Sequence, residues 1–143
     1  MRIVVIDVVP ALLSWEGRDR STDPTVAPDA AEAIPHLHSH YRLVGITDAA
    51  VPRLELAQAL DTHHLGRFFD SITTTAGLGP ELTPRVVRRL IHTSKEGPIV
   101  VTARAALARA FSRQRIGVVL TNQSEFGAVP EAVASLIAGR VSP

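Results

Sequence analysis

Apolar residues in this chain fall into two rhythms, and the alternation between them predicts the architecture. Arg2-Ile3-Val4-Val5-Ile6-Asp7 sets four β-branched residues in a row between a base and an acid. A run of that kind, stopped by a polar residue, reads as a strand buried on both faces, as in a parallel sheet. Similar runs recur at Tyr41–Thr47, Phe68–Thr75, Pro98–Thr102 and Ile116–Leu120. Between them the apolar positions take helical spacing. One helix opens at Pro28-Asp29 and runs to about His40, with Pro35 expected to kink it or end its first half. A second starts at Asp48, a candidate N-cap, and runs to about Asp61. A third opens at Thr83-Pro84, with Val86, Val87, Leu90 and Ile91 inward. A fourth spans Ala103 to Arg113, with Ala106, Leu107, Ala110 and Phe111 inward, and the last runs from Pro130 to Ala138. Five alternations with short connections predict an α/β, three-layer Rossmann-like domain: a five-stranded parallel sheet with helices on both faces.

Ser14 to Pro28 interrupts the rhythm with a charged, aperiodic stretch, Ser14-Trp15-Glu16-Gly17-Arg18-Asp19-Arg20 and onward, which reads as a flap beside the crevice. It is too short to be a domain of its own, so residues 1–143 read as one domain. Trp15, the single tryptophan, has two readings: an interface anchor, or a lid folded back over the crevice.

Composition narrows the classes of function. Fifteen basic and fourteen acidic residues leave a formal charge of +1, which argues against nucleic acid as a partner. The arginines after Pro84 recur at helical spacing, as on solvated faces. Cysteine is absent, which removes disulfides, thiolate metal sites and a cysteine nucleophile. No apolar run approaches the ~18 residues a bilayer requires, and Met1 leads directly into the first strand without a secretory pattern. The expectation is a soluble cytoplasmic domain. His36 and His40 have a spacing that can hold zinc on a helical face, but no acid or cysteine joins them, and imidazoles also suit a helix C-terminus. His63 and His64 sit in a turn. Gly77 and Gly79 do not follow the first strand and read as turn glycines.

Asp7 is the residue that could carry chemistry. An acid at the carboxyl end of a first strand points into the crevice where open α/β sheets bind ligands. In this setting the chain resembles the haloacid dehalogenase-like hydrolase superfamily over nearly its whole length. Ile3-Val4-Val5-Ile6-Asp7 resembles that family's strand with the nucleophilic Asp, and Pro28 to Thr47 its helix and strand ending in a phosphate-binding Thr or Ser. Leu60-Asp61-Thr62-His63-His64-Leu65-Gly66-Arg67-Phe68-Phe69-Asp70-Ser71-Ile72 is similar to a passage common in these proteins. Pro98 to Leu120 resembles the strand, helix and strand around the fourth motif. The resemblance implies an aspartyl-ester mechanism, with Mg²⁺ in the phosphatases.

The rest of the machinery departs from the family pattern. The acid expected two residues after the nucleophile is Val9, and the small Gly-Thr pair is Pro10-Ala11. The place of the third-motif Lys falls at about Glu81; the single lysine, Lys95, lies at the far end of the following helix. The fourth motif reads Val101-Thr102-Ala103-Arg104-Ala105-Ala106-Leu107-Ala108, without a carboxylate. Mg²⁺ wants several oxygen ligands, and Asp7 with Asp48 is a thin site. A buried acid deprived of a metal needs another cation, and Arg104 is placed to supply one.

The expectation is therefore a catalytically degenerate domain that binds a protein partner or a second copy of itself, with no cofactor. One alternative is a phosphatase-like hydrolase with Asp7 as nucleophile and Mg²⁺. Another is a phosphate or phosphometabolite sensor using Thr47, backbone N–H groups and Arg104, with Asp48 beside them as a candidate ligand-binding residue. The Ala/Arg-rich, Lys-poor usage suggests a bacterial source.

Overall fold

The computed structural model describes residues 2–15, 24–48, 51–75, 83–90 and 97–141. Its centre is β1 (Ile3–Asp7), buried along its full length. β1 pairs in parallel with β4 (Arg42–Thr47) on one side and β6 (Ile99–Thr102) on the other. β5 (Ser71–Thr74) adds to β4 and β7 (Gly117–Leu120) to β6, giving a five-stranded parallel sheet ordered β5-β4-β1-β6-β7. The chain winds outward from β1 through β4 to β5, then crosses back to β6 and β7. The switch in direction lies at β1, where doubly wound sheets open their crevice.

Side chains of β1 alternate between the two faces, as a strand requires. Val4 and Ile6 enter a cluster with α2 (Ala30–His38), α3 (Arg53–Thr62) and α6 (Val129–Val141), through Ile34, Leu37, Leu56, Leu60 and Val133. Ile3 and Val5 enter a second cluster with Val87 of α4 (Pro84–Leu90) and Phe111 of α5 (Ala105–Arg113). Three layers with an apolar strand between two helical faces make the α/β Rossmann-like fold that the two rhythms predict. Each fully buried Leu, Ile or Phe contributes ~1.5–3 kcal/mol of transfer free energy, and the two clusters together hold the sheet from both sides. No helix among the described residues is long and apolar enough to cross a membrane.

Several local expectations change. α2 runs through Pro35 rather than ending there, burying Ala30, Ala33, Ile34 and Leu37 at helical spacing. The N–H that Pro35 lacks would have bonded the carbonyl of Ala31, an exposed residue, so water can serve that oxygen. α5 begins at Ala105, with Ala108 and Phe111 inward and Ala106 exposed, because the bulk of Phe111 sets the rotation of the helix. The turn expected around His63 to Gly66 is a 3₁₀ turn at Gly66–Phe68. The segment between β7 and the last helix holds a 3₁₀ turn at Gln123–Ala128, capped by the Asn122 side chain accepting from the Glu125 N–H at 3.0 Å.

The ends of the flap are structured. After β1, a short turn, α1 (Val8–Ala11), leads to β2 (Leu13–Ser14), which pairs antiparallel with β3 (Thr25–Val26). Gln123 ties this ribbon down by donating from Nε2 to the Thr25 carbonyl at 3.0 Å. Trp15 is half-buried, packed against the cluster that α2 and α6 share. Residues 16–23 of the flap lie outside the described residues, as do Gly77, Gly79, Glu81, Ile91 and Lys95.

Candidate functional site

The five main-sheet strands share a feature at their carboxyl ends. The buried polar residues of the described chain are Asp7, Thr47, Thr75, Thr102 and Thr121, one at or just after the end of each strand. The other buried side chains of the described residues are apolar. The polar row forms the floor of the crevice, and Asp7 is its one charge.

Asp7 is fully buried, so its carboxylate depends on partners. Thr102 at the end of β6 donates from Oγ1 to Asp7 Oδ2 at 2.8 Å. Arg104 donates from Nε to the same oxygen at 2.9 Å and from Nη2 to Oδ1 at 3.1 Å. This is the two-pronged guanidinium–carboxylate arrangement that makes the strongest charged hydrogen bonds. The third nitrogen of Arg104, Nη1, reaches Asp48 at 2.9 Å from Oδ1 and 3.1 Å from Oδ2. One guanidinium thus clamps both crevice carboxylates.

The backbone explains how Arg104 gets there. The chain leaves β6 with Arg104 still extended (φ −103°, ψ 111°), preceding the first turn of α5. Thr102 Oγ1 also accepts the Arg104 N–H at 3.1 Å, fixing the base of the side chain while bonding its target. Asp48 does not cap the next helix. α3 starts later, at Arg53 behind an extended Pro52, and Asp48 turns to Arg104 instead.

Burial is the largest influence on Asp7 and pushes its pKa above the ordinary 3.8. The Arg104 hydrogen bonds and charge and the Thr102 bond pull it down, and the neighbouring charge of Asp48 adds to the rise. Burial works against the charge of Arg104, but its bonds and charge interactions with Asp7 and then Asp48 outweigh this and raise its pKa. The guanidinium stays charged.

Thr47 lies buried at the end of β4, its carbonyl accepting the Thr75 N–H at 2.9 Å. The Thr75 hydroxyl is buried without a hydrogen-bond partner among the described residues. Beside the ion cluster, a hollow of about 520 Å³ is lined by Asp48, Thr83, Pro84, Arg104, Leu107 and Ala110. Val9, where the family pattern has an acid, packs against the apolar core.

A hydrolytic reading would need Mg²⁺, and these residues do not fit it. Every carboxylate oxygen of Asp7 and Asp48 faces an Arg104 nitrogen. A divalent ion on either one would sit beside a fixed positive charge. At about 4 Å and an effective dielectric near 20, a divalent ion and a unit positive charge repel by roughly 8 kcal/mol, which offsets about what one of the two carboxylates would contribute by attraction at the same distance. Among the described residues no group of three or more His, Asp or Glu side chains could hold a metal. His36 and His40 stack tilted at 5.2 Å, while His40 Nδ1 pairs with Ser39 Oγ at 2.8 Å.

Sequence reasoning pointed to Asp7, Thr47, Asp48 and Arg104, and the structure joins Asp7, Asp48 and Arg104 in one cluster. Trp15 is not in that cluster; it belongs to the α2/α6 core. Thr102 was missed as a participant, and so was Thr75. Both were visible as hydroxyl residues at strand ends, which is a weak signal because threonine also favours strands. Compared with known proteins, the chain matches no family model and no curated sequence.

Proposed function

We propose that the chain is a catalytically degenerate domain of the haloacid dehalogenase-like type, acting as a binding module rather than a hydrolase. The observation that carries the reading is the Arg104 clamp on Asp7 and Asp48. A nucleophilic carboxylate attacks through an accessible, electron-rich oxygen; here Asp7 is fully buried, its Oδ2 accepts from both Arg104 and Thr102, and its Oδ1 accepts from Arg104. The cation that would neutralise substrate charge is replaced by a tethered one, and that one is already spent on two acids. The same count weakens a phosphate-sensor role, since two carboxylates and one guanidinium leave the cluster one negative charge in excess.

Hydrolysis of an aryl phosphate, with and without Mg²⁺, tests this reading. Wild type and Asp7→Asn are expected to be equally inert while both remain folded, and Mg²⁺ is expected to leave the wild-type melting temperature unchanged. Mg²⁺-dependent turnover that Asp7→Asn abolishes would make the chain an enzyme and sink the proposal.

A further inference from the structure

β7 is an edge strand: β6 lies on one side of it, and no strand lies on the other among the described residues. The Thr121 N–H bonds the Thr102 carbonyl at 2.9 Å, so the alternation of a strand turns the backbone N–H and C=O of Val118 and Leu120 away from β6. Their side chains share the α5 face, and Leu120 is 53% exposed, one of two large apolar residues so exposed among the described residues. Edge strands in stable folds are commonly blunted by charge, proline or a covering segment; Gly117-Val118-Val119-Leu120 has no charge and no proline.

Alongside the edge runs a groove of about 470 Å³, walled by α5 and floored by Val118 and Leu120. Its rim carries Arg109 and Arg113, one helical turn apart and without an ion pair among the described residues. α5 holds no acid, and neither does α4 on the same face of the sheet. Among the described residues the groove therefore offers unpaired backbone N–H and C=O groups, an apolar floor and a rim whose charges are all basic.

We infer that β7 docks an extended acidic segment of a partner protein as a sixth strand. Main-chain bonds to Val118 and Leu120 would give affinity, and carboxylates beside Arg109 and Arg113 would give selectivity. Charge decides against a second copy of this chain. A two-fold pairing of β7 with β7 would bring α5 against α5 and set Arg109 and Arg113 opposite their own counterparts. The inference rests on the binding-module reading and names its surface. It concerns β7 and not the crevice, so this test and the hydrolysis assay can fail separately.

The probe is a labelled heptapeptide, Glu-Val-Glu-Val-Glu-Val-Glu, titrated into the full chain by anisotropy and by amide-resolved NMR. The expected result is saturable binding that shifts the Val118 and Leu120 amides and slows their exchange. The double variant Arg109→Glu/Arg113→Glu should weaken it by about tenfold or more, and Leu120→Lys should weaken it as well. Both variants change exposed positions, and circular dichroism checks that they fold. No shift at β7, equal affinity for the Lys-substituted peptide, or a dimer of the free chain that Leu120→Lys dissolves would each overturn the inference.

Discussion

Replacing Arg104 with methionine keeps an apolar stem of similar length and deletes the guanidinium. Asp7 would then be fully buried with Thr102 as its one remaining partner among those described, and Asp48 would lose the clamp. Removing one partner of a buried ion pair costs roughly 3–5 kcal/mol, because the other charge stays desolvated. Arg104 is 34% exposed and the Asp48 side chain 15%, so water relieves part of the loss. The lower end, about 3 kcal/mol, is the expected cost at neutral pH. In a domain of this size that corresponds to a fall in melting temperature of about 9 °C. The loss should shrink toward pH 4, because an Asp7 without Arg104 takes up a proton more readily and becomes neutral. Urea unfolding of wild type, Arg104→Met, Asp7→Asn and the double variant measures this directly. The double variant should recover much of the loss, giving a coupling energy of about 2 kcal/mol. A stability of Arg104→Met within about 0.5 kcal/mol of wild type, or additive single effects, would show that the clamp does not hold the crevice and would remove the ground for calling Arg104 spent on its two acids.

Three further outcomes follow from the same geometry. Because burial raises the Asp7 pKa in the folded chain, the folded state holds that proton more tightly than the unfolded one. Its contribution to stability is full below the ordinary 3.8 and is lost as pH rises through the folded value; in unfolding measurements from pH 3 upward, Asp7→Asn should abolish that downward slope, and an unchanged slope would assign it elsewhere. Thr102→Val keeps the shape but removes a donor to Asp7 and an acceptor for the Arg104 N–H, and should cost about 1–3 kcal/mol while raising the Asp7 carboxyl titration seen by NMR; a neutral effect on both would mean that the hydroxyl does not organise the cluster. Gly45 on β4 is held between Val8 Cγ2 and the Phe69 ring, at 3.1 and 3.2 Å from where a Cβ would stand, so Gly45→Ala should destabilise by about 1–3 kcal/mol through overpacking in thermal melts, and a stabilised variant would contradict the packing.

The sheet was legible because a buried parallel strand leaves a signature in a handful of adjacent residues: Ile3-Val4-Val5-Ile6 cannot satisfy a helical stripe or a half-wet strand. Arg104 was legible for an energetic reason, since a buried Asp7 demanded a cation. Asp48 was not. Followed by Ala-Ala-Val-Pro it reads locally as a helix cap, and only the fold brings it to a guanidinium 56 positions away. The ribbon of Leu13-Ser14 with Thr25-Val26 escaped notice because two residues per strand are too few to show a period. In α5, Leu107 and Phe111 turn inward as read, but Ala108 rather than Ala106 joins them, because alanines fit either face and the larger side chains decide which one turns in.

The row of polar residues at the strand ends makes the molecule chemically one-ended. Behind Asp7, Thr47, Thr75, Thr102 and Thr121, the strands and the helices packed on them meet through hydrocarbon. A lineage could therefore lose or regain reactivity at the rim by exchanging a few side chains, Arg104 foremost, while the packing that determines whether the chain folds stays the same. Folding and rim chemistry thus rest on nearly separate groups of residues, and the side chains at the rim can change without touching the packing that holds the shape.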